Sequence, residues 1–139
     1  MSAREYLNRA YKLDYRINSK LSQIQNLNDL ATKVTSGYNE RIGSGLGNAA
    51  RIQDVISKII DLESEINADI DALVDIKAEI MALVKKVTDI DCQLILEMRY
   101  LNYLSWEQIA VDLNYSIHHV YKIHNLAIEI CDRILNDTK

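Results

Sequence analysis

Proline is absent from this 139-residue chain, where average usage near 5% would supply about seven, and phenylalanine is absent too. Glycine occurs only four times. A compact α/β fold needs many tight turns, and turns draw on Gly and Pro. Their scarcity favours an all-α chain with few connections. No apolar run approaches the roughly 20 residues of a membrane span. The opening residues, Met1-Ser2-Ala3-Arg4-Glu5-Tyr6, contain no apolar signal core, so a cytoplasmic protein with no membrane partner is expected. Cysteine is represented only by Cys92 and Cys131. Both sit in apolar helical surroundings and read as reduced core thiols.

What is present is a folding composition, 48% hydrophobic and 26% charged. The net charge of −4 argues mildly against a nucleic-acid binder when taken alone. The charge is unevenly spread, however. Residues 1–20 carry a net +3 from Arg4, Arg9, Lys12, Arg16 and Lys20 against Glu5 and Asp14. Residues 52–76 carry a net −6, with Lys58 alone against seven acids. A basic and an acidic helix in one chain read as partners.

All four glycines fall between Gly37 and Gly47. This punctuation separates two long helical patterns, at about 3–34 and 49–87, joined by a Gly-rich loop over 35–48. Ser2 and Asn48 are the expected N-caps. The first helix has the apolar seam Leu7, Ala10, Ile17, Leu21, Ile24 and Ala31. In the second, Ile52, Ile59, Ile66, Leu73, Ile80 and Val87 recur at steps of seven, with a second row of Val55, Leu62, Asp69, Ile76, Leu83 and Ile90. This is a coiled-coil signal interrupted at Asp69. There the aspartate either fixes the register or leans outward while Ile70 covers the seam. At roughly 1.5 Å per residue the helices would be about 50 and 60 Å long. The loop lets them fold into an antiparallel helical hairpin, the expected domain 1–87. Such a hairpin buries little core, so pairing with a second copy, as a homodimer through the long helices, or packing on the rest of the chain is expected.

The remainder, 88–139, has a shorter rhythm. Thr88 or Asp89 starts a helix with Leu94, Ile95, Met98 and Leu101 on one face. Ser105-Trp106-Glu107-Gln108 reads as a capping box, with Gln108 reaching back. A short helix from Trp106 to Leu113 ends at Asn114, a residue type that tolerates the left-handed conformation. Ser116 caps a last helix to about Asn136. Two helices across a three-residue turn make the helix-turn-helix plan. Ile109, Ala110, Leu113, Val120 and Ile123 face inward. The candidate DNA-binding residues are then Ser116 at the cap and Ile117, His118, His119, Tyr121 and Lys122 on the outer face, where a major groove would receive them.

The run from Leu96 to Ala127, with Arg99-Tyr100-Leu101, Ser105-Trp106-Glu107, Ile109-Ala110, Leu113, Ser116 and Val120, resembles region four of bacterial sigma factors. The N-terminal stretch from Tyr6 to Lys20 is similar to the start of short regulators from phages and prophages of Gram-positive bacteria, described as ArpU- or RinA-like. The resemblance covers nearly the whole chain. It implies a phage-type transcriptional regulator whose Ser116-capped helix reads a promoter element in double-stranded DNA, with host RNA polymerase as a further partner. One departure weakens the implied contact. Sigma-like recognition helices carry several arginines, whereas this one offers Lys122 alone, and residues 105–139 have a net −2. Phosphate neutralisation supplies much of DNA affinity, so one copy alone should bind weakly. Two alternatives keep the same fold: a phage DNA-packaging recognition subunit, and a protein-interaction module with a degenerate helix-turn-helix.

Other candidates have plainer readings. His118, His119 and His124 lack the i, i+4 spacing of helical zinc ligands and read as surface or groove-facing side chains. Trp106 reads as a core anchor. Tyr6, Tyr11 and Tyr15 roughly share a helix side, suited to packing or a dimer seam. The carboxylates of 54–79 read as a solvated face. Gly43-Ser44-Gly45-Leu46-Gly47 lacks the preceding strand and the Gly-Lys-Ser/Thr of a phosphate loop. No nucleophile–base arrangement stands out, so neither catalysis nor a metal or cofactor is expected.

Overall fold

The computed structural model describes the backbone of residues 1–40 and 45–137, and the side chains of 1–33 and 49–137. Every regular element among the described residues is helical. In order these are α1 (Ala3–Glu40), α2 (Gly45–Lys85), α3 (Ile90–Leu96), a π-helical turn (Glu97–Leu101), α4 (Trp106–Leu113) and α5 (Ile117–Asp137). The all-α reading holds.

The glycine-rich connection is shorter than the sequence suggests. Helical backbone runs to Glu40 and resumes at Gly45, so only residues 41–44 of the expected 35–48 loop lie outside the described residues. Glycine costs a helix interior about 1 kcal/mol relative to alanine, which weakens a helix without forbidding it. Gly37, Gly45 and Gly47 are therefore compatible with the turns they occupy. The Asn48 cap expected at that boundary gives way, since α2 has already begun.

The chain divides into two compact units, one of residues 1–13 with 73–139 and one of 14–72. They do not follow the 1–87 and 88–139 division suggested by the heptad repeat. The repeat is continuous along α2, but packing is not: the last turns of α2 belong with the C-terminal helices.

In the smaller unit, 14–72, only Ile17 and Ile66 are buried apolar residues among the described side chains. Ile24, Leu27, Ile52, Val55, Ile59 and Leu62 are half-buried, while Leu21, expected in the seam, is exposed. The interruption at Asp69 has a clear occupant. Lys20 Nζ lies 2.7 Å from Asp69 Oδ2 and 3.6 Å from Glu65 Oε2, and Arg16 Nε lies 3.9 Å from Asp69 Oδ2. The side chains of Lys20 and Asp69 are only 13% and 17% exposed. Ile70 does not cover the gap, being itself exposed. The basic and acidic segments thus meet through an ion pair within the seam, as their opposite charge anticipates.

The larger unit holds the core. Ala3, Leu7 and Ala10 of α1 and Ile80, Leu83 and Val84 of α2 join one buried cluster. Val87, Cys92, Ile95, Leu96, Tyr100, Ile109, Ala110, Val120, Ile123, Ala127, Ile128 and Cys131 complete it. Ser2 caps α1, its hydroxyl accepting from Glu5 N at 3.2 Å. Ala3 N also donates to Asp132 Oδ1 of α5 at 2.8 Å, tying the start of α1 to the last helix. Arg9 bonds Glu79 at 2.7 Å and lies over the Tyr6 ring.

After α2, Lys86 and Val87 donate to carbonyls three residues back, and Asp89 caps α3 by accepting from Cys92 N at 3.0 Å. That bond holds the Asp89 carboxyl below its ordinary pKa. The early end of α2 explains Ile90. It would continue the heptad row, but it opens α3 instead and is 72% exposed. Leu94 is also exposed, and the face of α3 that packs is Cys92, Ile95 and Leu96. Both cysteines are free and buried, and burial pushes each thiol up to about 11. No helix of the described residues is long and apolar enough to cross a membrane.

Candidate functional site

The candidate surface is built from two helix caps and one left-handed residue. Ser105 is extended, and its hydroxyl accepts from Gln108 N at 3.1 Å, starting α4. The reciprocal half of the expected capping box is missing. Gln108 does not reach back; its amide donates to Asp112 Oδ1 at 2.7 Å, one turn along the same helix. A local i, i+4 hydrogen bond satisfies the side chain without bending it toward the cap.

Asn114 stops α4 at φ 57° and ψ 41°. Tyr115 N donates to Ala110 O at 3.0 Å and Asn114 N to Val111 O at 3.2 Å, the paired bonds of a Schellman closure. Such a closure needs a residue in the left-handed region, which asparagine occupies at low cost. Ser116 follows as the cap of α5, accepting from His119 N at 3.1 Å. Tyr115 is fixed between these caps. Its hydroxyl donates to Asp91 at 3.2 Å, which raises its pKa, and its ring meets His119 edge-on at 4.8 Å.

Packing then sets the orientation of α5. Ile109, Ala110, Val120, Ile123, Ala127, Ile128 and Cys131 are buried, and Leu113 is half-buried. The outward residues of α5 follow from 3.6-residue periodicity. His118, Tyr121, Lys122 and Asn125 share one exposed face. Ile117 is exposed at its edge. His119 is exposed but displaced about 100° from His118 around the helix, beside Tyr115. Ser116 is committed to the cap.

Behind this face lies a buried polar-aromatic cluster that the sequence reading did not anticipate. His124, expected at the surface, is 3% exposed. Its Nε2 lies 2.6 Å from the Tyr100 hydroxyl, and its ring packs edge-on against Trp106 at 4.6 Å. Burial, reinforced by the positive charges of Arg4 and Arg99, depresses its pKa to about 4. His124 is thus a neutral core group at pH 7. Burial also raises the pKa of Tyr100. Trp106 is half-buried and connects the cluster to the surface. It packs edge-on against Tyr121 at 5.5 Å, and the Arg99 guanidinium lies 4.5 Å from its ring centroid. Arg99 also donates to Leu104 O at 2.9 Å, bracing the segment before α4. In that segment Tyr103 adopts φ 58°, a strained value for a bulky side chain. Its ring meets Tyr11 edge-on at 5.8 Å and lies under Lys77.

Two surface residues were missed. Asn125 was legible, lying four residues after Tyr121 and three after Lys122. Arg4 was not. Its Nη2 donates to Asn125 Oδ1 at 3.2 Å from 121 positions away. Among the described residues no group of three or more His, Cys, Asp or Glu is placed to hold a metal ion.

The elements therefore define a small helical protein with a capped two-helix turn and one exposed helix face. The family model described as "Protein of unknown function (DUF1492)" matches residues 33–132, and the chain belongs to that family. The match takes in α2 to α5 as far as Asp132 and leaves out Arg4. No curated protein and no solved structure matches the chain.

Proposed function

We propose that the chain is a non-enzymatic DNA-binding regulator. In this reading α4, the turn at Asn114 and α5 form a helix-turn-helix, and the exposed face of α5 enters the major groove. The observation that carries it is the division of α5. Val120, Ile123, His124 and Ala127 anchor one side, while His118, Tyr121, Lys122 and Asn125 stand on the other. A recognition helix needs this separation, because base-reading side chains must be held by a core they do not join. Histidine, asparagine and lysine supply hydrogen-bonding groups for base edges or phosphates, and tyrosine adds an apolar ring with a hydroxyl. The similarity of 96–127 to sigma region four supports a promoter element as the target, with host RNA polymerase as a partner. The long helices would form an antiparallel hairpin that brings two copies together. Within the unit of 14–72, the pairing of Lys20 on α1 with Asp69 and Glu65 on α2 supports this reading.

The test is retention of fragmented DNA from the source genome by the purified protein at about 50 and 200 mM salt. Selective, salt-weakened retention of a few promoter-bearing fragments is expected. Absence of retention at both salts would refute DNA reading and leave a protein-contact module.

A further inference from the structure

The proposed DNA face has a specific deficit: α5 offers only Lys122 to the phosphates near its N-terminus. The fold supplies a second cation from elsewhere. Residues 1–13 belong to the same compact unit as α5. Ala3 is fully buried there, and its N–H is bound by Asp132. This anchor fixes the first turn of α1, and the next side chain, Arg4, extends along α5. Its guanidinium is held by the neutral amide oxygen of Asn125 at 3.2 Å. Arg4 is exposed, and among the described residues it makes no ion pair. Its charge is therefore positioned but not neutralised.

The position is also informative. Asn125 lies eight residues beyond Ile117, about 12 Å along α5 at 1.5 Å per residue. A B-DNA major groove is about 12 Å wide. A helix whose first turn meets base edges would thus carry Asn125, and the arginine on it, toward the sugar–phosphate wall.

We propose that Arg4 is a phosphate-binding residue of the α5 surface, delivered by the first turn of α1 to the duplex that α5 reads. This rests on the DNA-binding reading above and adds to it a named residue outside the matched family segment. Asn125 is the positioning residue: it orients the guanidinium, whose remaining N–H groups can donate to a phosphate oxygen. The acids farther along α5, Glu129 and Asp132, set a limit on how far the basic surface extends, and Asp132 is already bound to Ala3.

The experiment measures binding of the full-length protein to a short fluorescein-labelled duplex of mixed sequence, from about 50 to 200 mM salt. Each neutralised phosphate contributes about 0.9 to the slope of log K against log salt. Arg4→Gln should lower that slope by about 0.9, so that its affinity falls about 3.5-fold less than wild type across the range. Arg4→Lys should retain the slope, and matching thermal melts should show that both variants fold. A merely structural role for Arg4 would change affinity at every salt and leave the slope alone. If wild type binds and Arg4→Gln keeps its slope, the assignment of Arg4 is overturned while DNA binding by α5 stands. If wild type binds no duplex at either salt, both fall together.

Discussion

The two units of this chain solve the same problem with different means. Among the described side chains of the unit of 14–72, the only buried apolar residues are Ile17 and Ile66, and the seam contains the Lys20–Asp69 pair. The unit of 1–13 with 73–139 gathers the start of α1, the end of α2, the short helices α3 and α4 and the whole of α5 around some eighteen buried residues. Apolar burial is worth roughly 25 cal/mol per Å². The larger unit thus has its own driving force, while the smaller one relies on sparse contacts and paired charge. In the proposed reading this divides labour: a rigid unit presents α5, and a weakly cored unit is suited to association with a second copy.

Perturbations of unequal size should expose the difference. The largest effect is expected in the larger core. Leu96→Ala removes a fully buried side chain and should destabilise by about 3 kcal/mol, read as a lowered denaturation midpoint. A comparable loss from Leu62→Ala, which is only half-buried, would erase the contrast between the units.

Acid should act through the larger unit at a similar scale. His124 has a folded pKa of about 4 against an ordinary 6.5. The folded state then binds fewer protons than the unfolded state between these values. Stability is fully present above pH 6.5 and falls as the pH drops toward about 4, by about 3 kcal/mol in total. Denaturant titrations across that window should show the slope, and His124→Gln should flatten it. An unchanged slope in the variant would assign the acid lability to other groups.

A smaller and more local effect is expected at the polar seam. Asp69→Ala leaves the Lys20 ammonium without its nearest partner and should cost about 1–2 kcal/mol. Hydrogen exchange should rise in the helix segments of 14–72 while protection around Ile95 and Ile109 persists. Coincident loss of protection in both regions would mean that they unfold as one. The smallest change is expected from Arg9→Gln. Its bond to Glu79 is half-exposed at one end, so about 0.5 kcal/mol or less should be lost.

Local rules made much of this fold legible. The Ser105 and Ser116 caps, the Asn114 turn and the inward set Ile109, Ala110, Val120 and Ile123 depend on residues a few positions apart, and each is found where its pattern places it. Features set by distant packing were hidden. His124 looks like its exposed neighbours until Tyr100 and Trp106 close over it. Ile90 continues a heptad row in the sequence, but a cap at Asp89 has already begun another helix. Arg4 reads as one more charge on a basic helix, and only the tertiary fold brings it to Asn125. Four glycines suggested a long loop because turn propensity is local, whereas the helical backbone of 35–40 and 45–48 tolerates three of them, Gly37, Gly45 and Gly47.

The central claim is that the outer face of α5 reads duplex DNA, and Tyr121 tests it most directly. Its ring is partly exposed on that face and supported by Trp106. Binding of wild type and Tyr121→Ala should be compared on a genomic fragment that wild type retains and on an unrelated duplex. The account predicts an unchanged fold and about a tenfold loss on the retained fragment, with little change on the unrelated one, the signature of a lost base contact. Equal affinity of the two proteins for both duplexes would contradict it.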